Sequence, residues 1–125
     1  MKLFKICAWW LLFMAALHTV VGLALKHEPL VSLIRYGAGA MDNPHNDRLA
    51  ALWFHFSGGL MFVVAGFSLW SIKHVGRLPG FLGWACLIMG LIGGPLLPAS
   101  GFWLYIPVGA ALVLLGRGAA SHSSA

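Results

Sequence analysis

Residues 49–72 read LAALWFHFSGGLMFVVAGFSLWSI. The run contains no Asp, Glu, Lys or Arg, and as a helix it is long enough to cross the ~30 Å hydrocarbon layer of a bilayer, which takes about 20 apolar residues. Three further stretches, 6–25, 78–97 and 101–116, are as free of charge. Together they predict an all-α membrane protein: an antiparallel four-helix transmembrane bundle whose solvent is lipid.

Composition agrees. The 125 residues are one domain by length, 60% hydrophobic and 9% charged, where a soluble domain has about 25% charged residues. Lys and Arg number 8 against 3 Asp and Glu, an excess that in a soluble protein would suggest a nucleic-acid partner. Here the basic residues sit at the ends of apolar runs instead of forming a face, so they are read as topology and no nucleic-acid partner is expected. Lys2, Lys5, Lys73, Arg77 and Arg117 have no acid beside them, whereas the 26–48 connection holds all three acids, Glu28, Asp42 and Asp47. By the positive-inside rule both termini are cytoplasmic and 26–48 is an outer loop. Aromatic belts give the same orientation, with Trp9, Trp10, Trp70 and Trp84 inside and Tyr36, Trp53, Trp103 and Tyr105 outside. The expected location is an inner membrane, crossed several times.

Residues 1–25 imitate a secretory signal, with Lys2 and Lys5 in front and Gly22-Leu23-Ala24 as a cleavage-like site. The apolar run is too long for a signal core and carries Trp9 and Trp10 as an anchored helix does, so it is read as a retained span. Cys7 and Cys86 stand alone, without metal-site spacing, and are read as buried free thiols. Pro29–Tyr36 places Leu30, Leu33 and Ile34 on one face and predicts a short interfacial helix. After it come a turn at Asp42-Asn43-Pro44 and a cap at Asn46 or Asp47 for the second span. Pro79 suits the first turn of the third span, Pro95 and Pro98 a tight turn, Ser100 an N-cap, and Pro107 a kink in the fourth span. The tail 118–125 is expected to be disordered.

His18 and His55 are the residues with most chemical promise. By helical rise, His18 lies about 10 Å inside the outer end of the first span and His55 about 9 Å inside that of the second, so both sit at one depth on antiparallel helices. Each has a glycine four residues on, Gly22 and Gly59, on the same face, leaving room for a backbone or a flat ligand. Intramembrane imidazoles invite a functional hypothesis: the pair ligates haem b axially, binds a metal, or hydrogen-bonds a quinone. The alternative is packing, each ring neutral and bonded to a backbone carbonyl, Thr19 or Ser57, with no cofactor. His27, Glu28, Asp42, His45 and Asp47 share the outer loop at spacings that fit no metal site. Gly90 and Gly94, and Gly58 or Gly59 with Gly66, form small-residue stripes for close helix packing within a monomer or between protomers.

Arg48, Ala51, Trp53-Phe54, Gly59, Gly83-Trp84, Pro98 and Ser100-Gly101-Phe102-Trp103 together resemble a family of small bacterial four-span membrane proteins of unknown function, distantly DoxX-like. The similarity spans nearly the whole chain, and His18 matches that family's first helix. It implies the fold and no chemistry. No nucleophile with a base, paired intramembrane carboxylates or phosphate loop is present, so no catalytic residue is assigned. The expected role is non-enzymatic: a homo-oligomer, or an accessory subunit of a larger membrane complex. The alternative is a redox protein with haem b or quinone held by His18 and His55.

Overall fold

The computed structural model describes residues 2–37 and 46–122, with 117–122 described by backbone alone. Among the described residues every regular element is helical: α1 (Lys2–Leu25), α2 (His27–Tyr36), α3 (Asn46–Val75), α4 (Gly80–Leu96), a 3-10 turn (Gly101–Leu104) and α5 (Tyr105–His122). Helices α1 and α3 begin before the charge-free runs at 6 and 49, taking in Lys2 and Lys5 and Asn46 to Arg48. Asp47 lies in the first turn of α3 and Lys73 and His74 in its last, each where the helix dipole favours its charge. Gly37 and Gly76, at φ 62° and 77°, end α2 and α3. Their N–H groups donate to the carbonyls of Leu33 and Ile72, each at 3.1 Å, a closure that needs the left-handed region open to glycine.

Several local expectations are revised. Pro95 sits inside the last turn of α4 instead of in the following turn. Pro107 falls in the first turn of α5, where a helix has no amide bond to lose, instead of kinking the middle of a span. The backbone stays helical past Gly118 to His122, where disorder was expected. The Asp42-Asn43-Pro44 turn and residues 123–125 lie outside the described residues. Ser100 is an N-cap as read, its hydroxyl oxygen accepting from the Phe102 N–H at 3.4 Å.

The helices pair as two antiparallel hairpins, α1 with α3 and α4 with α5. Ala8, Ala15, Ala51 and Ala65, all at 0% exposure, let α1 and α3 approach, since interaxial distance follows side-chain size. Along α4, Gly83 meets Leu112, Gly90 meets Ile106, Gly93 meets Phe102 and Gly94 meets Trp103, while Gly109 of α5 meets the Leu87 backbone. The hairpins join through α1 and α5. Among the described residues no Cα of α3 comes within 8 Å of α4 or α5, so the closest approaches are those of α3 to α1, α1 to α5 and α5 to α4. Contact is concentrated within each pair because that is where the small residues are. Cys7, Leu11, Ile72, Cys86, Val108 and Leu112 form the shared core. Both cysteines are free and buried. Their helices come no closer than 8 Å at Cα, beyond the reach of a disulfide.

The hairpins differ in length. From its residue count α3 is about 45 Å long and α4 about 25 Å. Trp10 Nε1–H donates to the Leu104 carbonyl at 3.1 Å, which stands the tip of the short hairpin beside the middle of α1. Trp10 and Tyr105, assigned to opposite aromatic belts, are therefore neighbours. The short turn satisfies its own carbonyls: the Ser100 hydroxyl donates to Leu97 O and Trp103 Nε1–H to Pro98 O at 3.0 Å. Two helices, α1 and α3, are long and apolar enough to cross a membrane, and α4 and 101–116 are shorter apolar helices.

Candidate histidine site on the α1–α3 seam

His18 and His55 both lie on the seam between α1 and α3, half-buried. The antiparallel pairing that brings them together is set by register: Gly58 faces His18 and Thr19, and Gly22 faces Phe54 and His55. Both rings pack on Phe54. His18 stacks on it, centroids 4.0 Å apart and planes 9° from parallel. His55 meets the same phenyl edge to face, centroids 6.0 Å apart and planes at 62°.

Hydrogen bonding determines both tautomers. His18 Nε2 lies 2.9 Å from the Phe54 carbonyl, which can only accept, so this nitrogen carries the proton. Ser57 Oγ is 3.3 Å from the same nitrogen and donates its own proton to the same carbonyl at 2.8 Å. His55 donates from Nδ1 to the Ala51 carbonyl one turn back, at 2.8 Å. Its Nε2 is then an acceptor, buried and without a partner among the described residues. Of the partners expected for the imidazoles, Ser57 is used, whereas Thr19 turns back to the Ala15 carbonyl at 3.0 Å.

The glycines behave differently from one another. A Cβ on Gly22 would sit 2.7 Å from the Phe54 ring and 3.2 Å from His55 Nε2, whereas one on Gly59 meets nothing within 4 Å. The room at Gly22 is already filled, and Gly59 faces away from the histidines. A haem held between the two imidazoles needs one nitrogen of each aimed at a common iron. With His18 Nε2 bonded to the Phe54 carbonyl and His55 Nδ1 to the Ala51 carbonyl, one nitrogen of each ring is engaged by backbone. Sequence reasoning missed Phe54, which supplies both the stacking ring and the accepting carbonyl. Only its adjacency to His55 hinted at it.

Among the described residues no group of three His, Cys, Asp or Glu side chains is placed to hold a metal. Of the outer-loop cluster, Asp42 and His45 lie outside the described residues. The Family of unknown function (DUF6463) matches over residues 2–119, and the chain belongs to that family. No curated protein and no solved structure matches it.

Proposed function

Since membership of that family brings no activity with it, we propose from the chain itself a small polytopic integral membrane protein of a bacterial inner membrane. It is non-enzymatic and acts as an oligomer or as an accessory subunit packed against larger membrane partners. One observation carries the membrane reading: the apolar stretch of α3 is only 17% buried. Trp53 at 61% exposure and Val63 at 67% point outward, as do Phe56, Leu60 and Phe67. A core helix of a soluble protein would hide them, and a continuous exposed apolar surface of this kind belongs against lipid or another protein.

The orientation has structural support as well. Antiparallel packing of α1 on α3 gathers Lys2 and Lys5 at the same end as Lys73 and Arg77, as cytoplasmic termini require. The self-satisfied carbonyls of the short turn suit a hairpin that ends near hydrocarbon, where unpaired backbone groups cost several kcal/mol. The second reading, haem b or quinone on His18 and His55, has the unpartnered His55 Nε2 in its favour and the bond from His18 Nε2 to the Phe54 carbonyl against it. The bonding of both rings to backbone favours a packing role for the pair.

The test joins extraction to labelling. The chain should resist alkaline carbonate and dissolve only in detergent. With Cys7 and Cys86 replaced by Ala, cysteine at Asn43 should react with an impermeant thiol reagent in intact cells and cysteine at His74 should not. Release by carbonate overturns the membrane reading, and labelling at His74 alone inverts the topology. Stoichiometric larger polypeptides in a mild-detergent preparation identify the accessory role, whereas a Soret band that His18→Ala removes identifies the redox one.

A further inference from the structure

A groove of about 350 Å³ lies between α2 and the first turn of α3, at the end of the molecule opposite the basic cluster. Glu28, Ser32 and Arg35 line one wall, spaced four and three residues apart and so on a single face of α2. Arg48 of α3 forms the other wall. Its Nε–H donates to Ser32 Oγ at 2.8 Å, and its guanidinium lies 4.0 Å from the Tyr36 ring centroid. The groove is therefore dipolar: a carboxylate at one end and, about 10 Å along α2, two guanidiniums at the other.

An acid in the first turn of α2 and a base in its last is what any helix dipole favours. Arg48 comes to the same end from a different helix, held there by Ser32 and Tyr36. Glu28 and Arg35 are exposed and have no ion-pair partner among the described residues. Leu25 at the end of α1, at 73% exposure, and Ile34 of α2, at 71%, present apolar side chains.

Resting on the membrane reading above, the geometry points to a seat for the headgroup of a phospholipid that carries a primary ammonium. The phosphate lies against Arg35, the ammonium donates to Glu28, and the acyl chains run down past Ile34 and Leu25. A trimethylammonium headgroup has no N–H for Glu28, and the groove has no aromatic cage, since Tyr36 is covered by Arg48. A glycerol headgroup leaves Glu28 facing an anion with no cation between.

Binding to the full chain in uncharged detergent, read by native mass spectrometry, tests this with dioleoyl phosphatidylethanolamine, phosphatidylcholine, phosphatidylglycerol and soluble phosphoethanolamine. The ethanolamine lipid should bind about tenfold more tightly than the choline lipid, the discrimination expected of one charge-assisted hydrogen bond. Glu28→Gln should erase that preference, and Arg35→Gln should weaken all three lipids. Equal binding of ethanolamine and choline lipids, or an unaltered preference in Glu28→Gln, overturns the proposal. Soluble phosphoethanolamine binding as tightly as the lipid overturns its lipid source. Both substituted residues are exposed, so folding is not at stake. A chain soluble without detergent refutes the membrane reading itself, whereas a membrane-embedded chain without lipid preference refutes the headgroup site alone.

Discussion

Two histidines that look alike in the sequence carry unequal weight in the fold. His18 contributes a hydrogen bond to the Phe54 carbonyl and a parallel stack on the Phe54 ring. His55 contributes a bond to a carbonyl of its own helix and strands Nε2 in a buried position. His18→Leu should therefore cost about 1–2 kcal/mol, the lost bond plus the lost stacking. His55→Leu should be near neutral, because the lost bond is offset by removing a buried unpaired acceptor. Unfolding of detergent-solubilised variants measures both, and a larger loss at His55 would mean that Nε2 has a partner. That the two lie on neighbouring helices was legible from the spans, but not their level, since the register sets His55 beside Gly22, one turn along α1 from His18. Which ring touches what was not legible either, because rotation about a helix axis is decided by the neighbour it packs on.

At the scale of elements, glycine positions divide into filled and open ones. A Cβ at Gly90 would lie 2.6 Å from Ile106, whereas Gly59 and Gly66 meet nothing within 4 Å. Gly90→Leu should lower stability by about 1–3 kcal/mol through overpacking between α4 and α5. Gly59→Leu should leave the monomer's melting temperature unchanged. If it dissociates an oligomer without altering helix content, the open face of α3 is an interface between chains. Ser100→Ala should cost about 1 kcal/mol by uncapping the 3-10 turn, seen as a lower melting temperature with the same helical circular dichroism. A small-residue stripe is readable from spacing alone, but its use is not: Gly58 and Gly59 are adjacent, and a step of one residue around a helix turns one toward α1 and the other away from it.

For the whole molecule, the Trp10 bond to the Leu104 carbonyl is a tie between the hairpins, spanning 94 positions of sequence. Trp10→Phe should loosen their docking by about 1 kcal/mol, measurable as an earlier melting transition with helix content retained; an unchanged transition would show that apolar contact alone joins them. The sequence by itself determined that the chain is helical, where its apolar stretches lie and which ends are basic. These are properties of composition along one dimension, and a helix formed in place preserves them. The tertiary structure decided which helices pair, the mismatch between a long and a short hairpin, and the stacking of His18 on the Phe54 ring. Each of these depends on which small residue lets which neighbour approach, and that is a property of two surfaces meeting, which neither strand of sequence carries alone.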